Sequence, residues 1–286
     1  MVGKAGMSIN RPVMRYHGGK WRIASWIISH FPAHETYVEP FLGAASVLLQ
    51  KPSSRVEVGN DLYGRVVNLF RVIRDPETAV DLQRRLRLTL YSHEEYYSAR
   101  ERSGDSVEDA RRMIVLGYQS HGSTGAAGGK LSGWRRGVRD HGHTAAMDWH
   151  SIWECVLAWS DRLRGVFIEQ DDAITVMERW DSPNTLFYVD PPYVAETRKT
   201  GPRGYRHEFT EKDHKRLAEF LQSAQGSVVL SGYDSEMYRE LYGQWEKHSI
   251  PSVADAGSRS VECLWIKGNG QNKQMCLFEH DERNGR

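Results

Sequence analysis

A chain of 286 residues, 40% hydrophobic and 26% charged, has room for one large globular domain or for a core with a smaller inserted unit, and its balance excludes a disordered or fibrous protein. A net charge of +1 excludes a molecule coated in positive potential, so any nucleic-acid surface must be a local patch. Three cysteines (Cys155, Cys263 and Cys276) without CxxC spacing argue against a disulfide framework, and the lack of a signal-peptide core or a span-length apolar run points to a cytoplasmic protein with no membrane partner.

Residues 1–14 read as a loose lead-in. Arg15-Tyr16-His17-Gly18-Gly19-Lys20 then feeds a segment from Trp21 to Phe31 whose apolar residues fall at helical spacing. A glycine pair before a helix lets backbone amides approach an anion, and Lys20 adds a charge there. It is not a Walker loop, because Trp21 stands where serine or threonine is required. A plain glycine turn before a surface helix is the competing reading.

Residues 37–50 predict a short strand, Tyr37 to Glu39, a tight turn through Pro40, Phe41 and Gly43, and a helix of small residues from Ala44. Strand, glycine turn and helix is the plan of a first nucleotide-binding βα unit, although the full dinucleotide fingerprint is absent. Residues 55–61 predict a second strand ending in Asn60-Asp61, and Leu62, Val66, Leu69, Phe70 and Ile73 predict the helix after it. An acid at that strand end is placed to accept hydrogen bonds from a ribose diol. Asp61 is preferred over Glu57 as the nearer to the strand end, and capping the next helix is an alternative job for it.

From Pro76 to about Gln119 the pattern is helical. Residues 121–143 follow as a glycine-rich stretch carrying Lys130, Trp134, Arg135, Arg136 and Arg139. Cations around an aromatic suit phosphate contact and base stacking; a solvated loop is the alternative. The histidines His121, His141, His143 and His150 match no zinc pattern, and no metal is expected. Residues 145–164 return to helix, and Val166 to Ile168 predict a third strand ending near Asp171 and Asp172.

Leu186 to Val189 predict a buried strand that runs into Asp190-Pro191-Pro192-Tyr193. Proline fixes φ and removes a ladder donor, so the strand must stop in a stiff turn carrying one carboxylate and one aromatic ring. A long polar loop follows (194–209), with Arg203 and Arg206. Thr210 opens a helix, Val228 to Ser231 give another strand, Ser235 to Tyr242 a short helix, and 245–250 with 261–266 a terminal antiparallel pair. Alternating strands and helices predict a doubly wound, Rossmann-like α/β sheet. Its core comprises 1–75 and 155–268, a mostly helical insertion spans 76–154, and 269–286 form a frayed polar tail.

These motifs, taken in order, resemble the adenine-specific DNA methyltransferases of the Dam type, the D12 class in the α-group. The resemblance rests on Tyr16-His-Gly-Gly-Lys20, on the 37–46 loop, on Asn60-Asp61, on Asp190-Pro-Pro-Tyr193, and on Phe209-Thr-Glu and Ser231-Gly-Tyr-Asp234. His17 departs from the small residue or proline common in the family, and the 120–143 loop has no counterpart that can be aligned. The resemblance implies S-adenosyl-L-methionine as methyl donor, leaving S-adenosyl-L-homocysteine, and double-stranded DNA as substrate. The protein would act as a monomer or weak dimer in a bacterial cell or phage-infected host. It assigns Tyr16, Lys20, Glu39, Phe41, Gly43, Asp61, Asp172 and Asp190 to the cofactor, with Asp171 and Asp172 not separable. The insertion would be the target-recognition region. Asp190 and the Pro191 carbonyl would accept the N6 hydrogens of an adenine turned out of the duplex, with Pro192 stiffening the turn and Tyr193 stacking on the base. Lys130, Trp134, Arg135, Arg136, Arg139, Arg203 and Arg206 would contact DNA. An amino-methyltransferase acting on RNA or a protein amide, and a catalytically silent DNA-binding module, are the rival readings.

Overall fold

The computed structural model describes residues 9–122, 125–128, 132–137, 144–197, 204–253 and 259–268. The expected 269–286 tail lies outside them.

Among the described residues seven strands form one sheet: β1 (Thr36–Glu39), β2 (Val56–Asn60), β3 (Val166–Glu169), β4 (Thr185–Val189), β5 (Ser227–Tyr233), β6 (Glu246–Val253) and β7 (Arg259–Lys267), in the order β3-β2-β1-β4-β5-β7-β6. The first five are parallel, and β7 enters antiparallel between β5 and β6. This is the doubly wound sheet with a terminal antiparallel pair that the alternation of strands and helices predicts. Parallel strands covered on both faces carry apolar residues on both sides, as β4 does with all five residues buried. Tyr37, Leu186 and Tyr188 face one core, while Val38, Phe187 and Val189 face the other.

The helices are α1 (Ala24–Ile28), α2 (Gly64–Arg74), α3 (Pro76–Leu88), α4 (His93–Ser98), α5 (Ser106–Gln119), α6 (Ala145–His150), α7 (Val156–Leu163), α8 (Ala173–Trp180), α9 (Glu211–Ser223) and α10 (Glu236–Tyr242). Helices α2, α3, α5 and α7 pack together and bury Phe70, Leu82, Ile114 and Trp159 in the same core as Tyr37. Leu217, Leu221, Met177 and Tyr238, from α9, α8 and α10, cover the other face. Asp75, Asp105, Asp172, Thr210 and Ser235 accept backbone N–H bonds at the starts of α3, α5, α8, α9 and α10; Thr210 with Asp213 forms a reciprocal capping box.

Three local expectations are corrected. The lead-in is packed from Val13 onward: Val13 and Met14 are buried, Tyr118 Oη donates to the Pro12 carbonyl at 2.5 Å, and Trp159 Nε1 donates to Arg11 at 3.2 Å. The close approach uses Gly117, where a Cβ would fall 2.8 Å from that of Met14. The helix expected over Trp21 to Phe31 shrinks to α1, flanked by turns. The helix expected from Ala44 is a chain of turns, because Gly43 and Ala45 both take positive φ, +48° and +52°.

A candidate active site at the carboxyl edge of the sheet

Strands β1, β2, β4 and β5 deliver Glu39, Asn60-Asp61, Asp190 and Ser231 to one edge of the sheet. In an open parallel sheet that is where ligands bind. A cavity of about 480 Å³ opens there, and Tyr16, Lys20, Glu39, Phe41, Gly43, Asp61, Asp172, Asp190 and Pro192 all line it. The structure therefore brings together every cofactor residue expected from the sequence.

Asp190 sits immediately past β4. Its Oδ2 accepts from Lys20 Nζ at 2.9 Å, and its Oδ1 accepts from Ser231 Oγ at 2.9 Å. Lys20 also donates to the Gly18 carbonyl at 2.6 Å and is only 5% exposed. Burial works to lower the Lys20 pKa, but Asp190 and Glu262 outweigh it and hold the ammonium above its ordinary value. Lys20 thus stays charged beside Asp190.

Glu39 is buried at the end of β1, where Tyr37 Oη donates to Oε2 at 2.7 Å and Leu48 N at 3.1 Å. Burial pushes its carboxyl up to about 8, with Asp190 adding to the rise against the Tyr37 and Leu48 hydrogen bonds. Asp61 accepts from Gly43 N at 2.9 Å and Tyr63 N at 2.8 Å, and burial still raises it to about 6. That bond ties the glycine turn to the second strand. Only glycine suits the turn: besides the positive φ, a Cβ on Gly43 would stand 3.2 Å from the Tyr16 ring. Phe41 meets Phe209 edge to face at 5.4 Å.

The two acids after β3 separate. Asp172 lines the cavity, caps α8 and pairs with Arg216, whereas the Asp171 carboxylate turns to Arg179 at 3.1 Å. Glu57 lies away from the cavity, in a buried cluster with Lys51 and Arg162.

Tyr193 is only 5% exposed and is not among the residues lining the cavity. Its hydroxyl donates to Glu262, its ring lies 4.7 Å from Lys20 Nζ, and Tyr233 meets it edge to face at 4.8 Å. Pro191 is buried beside it. Stacking on a base therefore requires the Tyr193 ring to be uncovered.

The described residues among those expected at DNA differ in exposure. Arg206 is exposed at the cavity rim, its backbone N–H bonded to Ala127 at 2.9 Å, and Arg136 is exposed. Arg135 is instead turned in towards Asp148 at 3.4 Å, with Arg15 on the same carboxylate at 2.9 Å. Trp134 packs on Tyr91 at 5.6 Å and His93 at 6.0 Å. Lys130, Arg139 and Arg203 lie outside the described residues, as do His141 and His143.

Three further groups have site roles that the sequence reading did not assign. Asn60 donates to the Pro40 carbonyl at 3.0 Å and the Asp171 carbonyl at 3.1 Å and accepts from Asp171 N at 2.9 Å, so one amide fixes both neighbouring loops. Ser231 holds Asp190, and Glu262 holds Tyr193. A lone acid in the apolar run Val261 to Ile266 was the available signal for Glu262, since a buried carboxylate needs partners.

A parallel sheet with one antiparallel strand let into it, and an acid-lined cavity at its carboxyl edge, describes a Rossmann-like methyltransferase. The chain belongs to the D12 class N6 adenine-specific DNA methyltransferases, whose family model matches residues 16–256. It is 26% identical over 266 residues to a DNA adenine methylase of Salmonella typhimurium, covering 88% of this chain and 92% of that one. It is 25% identical to the DNA adenine methylase of Escherichia coli strain K12, over 85% of this chain and 88% of that one. The Retron Ec67 DNA adenine methylase of Escherichia coli is likewise 25% identical, over 87% of each chain. Among the described residues no helix is long and apolar enough to cross a membrane.

Proposed function

We propose that the cavity binds S-adenosyl-L-methionine and that the chain moves its methyl group to N6 of an adenine turned out of the DNA duplex. The chemistry of the lining supports the donor. Asp61, Asp172, Asp190, Glu208 and Asp213 outnumber Lys20, Arg206 and Arg216 around the same space, which suits a sulfonium ligand carrying an amino group and a diol. Asp61 takes the ribose hydroxyls, Phe41 and Asp172 the adenine side, and Tyr16, Lys20, Glu39 and Gly43 the methionine side. When bound, the donor supplies an already activated methyl group, so no protein nucleophile is required.

The adenine amino nitrogen is a weak nucleophile because its lone pair is drawn into the ring. Asp190 and the Pro191 carbonyl accept its two hydrogens and draw the nitrogen toward tetrahedral geometry. Asp190 also stabilises the positive charge that develops there; as the new C–N bond forms the C–S bond breaks to leave the neutral thioether S-adenosyl-L-homocysteine, and the methylated nitrogen releases one proton to Asp190 or solvent. A carboxylate offers about four lone-pair sites. Lys20 and Ser231 occupy one on each oxygen, so the amino group meets a donor already seated on either side of Asp190. Extruding the base costs a few kcal/mol, and Tyr193 recovers part of this once its ring is uncovered. Residues 76–154 serve as the target-recognition region. Arg136 and Arg206, with Lys130, Arg139 and Arg203, meet phosphate or base edges, and Trp134 and Arg135 anchor that region from within.

The observation that carries this reading is a buried lysine hydrogen-bonded to Asp190 at 2.9 Å, at the edge of an acid-lined cavity. The test is Asp190→Ala, assayed by tritiated methyl incorporation into duplex DNA beside calorimetric binding of the donor. Incorporation is expected to fall at least about a hundredfold, with donor affinity far less affected. Near-normal incorporation would remove Asp190 from the chemistry.

A further inference from the structure

Lys20 is shared. Its Nζ lies 2.9 Å from Asp190 Oδ2 and 3.9 Å from Glu262 Oε1, and both Lys20 and Glu262 are almost wholly buried. Glu262 Oε1 also accepts the Tyr193 hydroxyl. Glu262 reaches the site from β7, where it pairs with Tyr233 of β5 on one side and Ile250 of β6 on the other. One ammonium therefore sits between the carboxylate of the catalytic turn and a second carboxylate from the last strand.

We infer that Glu262 is a positioning residue for methyl transfer: it is the second seat for the Lys20 ammonium, which moves toward it when the adenine amino group takes its place on Asp190. The inference rests on the reading of Asp190 as acceptor of the amino group. An ammonium at 2.9 Å competes with that amino group for Asp190 Oδ2. Withdrawing a buried cation without a new anion would be prohibitive. With Glu262 ionised, a move of about an ångström exchanges one charge-assisted hydrogen bond for another, inside one shielded cluster. The same carboxylate restrains the Tyr193 hydroxyl, so the displacement of Lys20 and the uncovering of the Tyr193 ring are linked through one side chain.

The groups facing Glu262 set when it can do this. Lys20 and the Tyr193 hydroxyl favour its charge, while Asp190 opposes it; Tyr188, Tyr233 and Cys263 complete its surroundings. Burial is the largest influence and pushes its carboxyl up to about 7. Glu262 is therefore protonated on the acid side of neutrality, and the second seat is lost there.

The experiment is Glu262→Gln, which keeps the size and an acceptor for Tyr193 but removes the charge. Single-turnover methylation rate against pH, and calorimetric donor binding, are measured beside wild type and Asp190→Ala. At about pH 8.5 the rate is expected to fall at least about tenfold, with donor affinity within about twofold. The acid limb near pH 7 seen in wild type should be absent from the variant. A wild-type rate, or an unaltered acid limb, in Glu262→Gln overturns the inference. If that variant does not fold, Glu262→Asp decides: it keeps the charge, so it must keep an acid limb, and loss of the limb overturns the inference. Asp190→Ala separates the two claims, since methylation retained there refutes the underlying reading, whereas a dead Asp190→Ala beside an unaffected Glu262→Gln refutes only the role of Glu262.

Discussion

Replacing Glu39 with glutamine isolates the cost of one buried charge. Both donors that reach it, Tyr37 Oη at 2.7 Å and Leu48 N at 3.1 Å, use Oε2, and the glutamine carbonyl oxygen can accept both. The folded protein holds the Glu39 pKa at about 8 against an ordinary 4.5. At roughly 1.4 kcal/mol per pH unit, ionising it in place costs on the order of 5 kcal/mol relative to the unfolded chain. Near neutral pH the folded protein keeps the proton that the unfolded chain has lost, and roughly 3 kcal/mol of that cost is already present. A carboxyl raised in this way contributes stability that is complete below pH 4.5 and lost as the pH rises through about 8. Glutamine has no such loss. Glu39→Gln should therefore gain on wild type steadily from about pH 5 to about pH 9, reaching roughly 3 kcal/mol after allowance for relaxation. Urea unfolding followed by tryptophan fluorescence across that range measures it. A stability difference that is flat with pH, or that favours wild type at alkaline pH, would refute the assignment of Glu39 as a buried, proton-holding acid.

Two further outcomes follow from the charge layout. Arg162 donates to Glu57 at 2.6 and 2.9 Å and to the Leu48 carbonyl at 2.6 Å, so Arg162→Ala should destabilise the fold by roughly 3 kcal/mol at neutral pH. Burial pushes the Glu57 pKa up, but Arg162 and Lys51 outweigh it and hold it below 4.5; the stability they supply is present above that value and lost as the pH falls, so the denaturation midpoints of wild type and variant should converge in acid. Arg136→Glu with Arg206→Glu should flatten the dependence of DNA affinity on salt by about one logarithmic unit per lost phosphate contact; an unchanged slope in a filter-binding titration would place the DNA elsewhere.

Much of the sheet was legible because its signals are local. The run Leu186 to Val189 stops at two prolines, and Thr210 and Asp213 announce α9 by the residues that cap it. The cavity acids Glu39, Asp61, Asp172 and Asp190 were legible for the same reason, since each stands at or just past a strand end. The failures are non-local. Val13 and Met14 have no periodicity to mark them as core, and only the glycine in α5 that admits them explains their burial. Ala45 carries a positive φ that small-residue composition does not announce. Arg135 and Trp134 look free in sequence because Asp148 and Tyr91, which hold them, lie 13 and 43 positions away. Leu62 was read onto the buried face of α2, yet it precedes that helix and is half exposed at the cavity.

The placement of β7 has a consequence for how the protein is made. This strand is threaded between β5 and β6, and it brings the carboxylate beside Lys20, a residue far earlier in the sequence. During synthesis, the strands before β7 can emerge and the cavity can take shape while the buried ammonium still lacks its second anion. The charge cluster around Asp190 is complete only once β7 has been delivered, so a product cut before β7 would lack the Glu262 carboxylate. The fold thus ties its chemistry to its own completion.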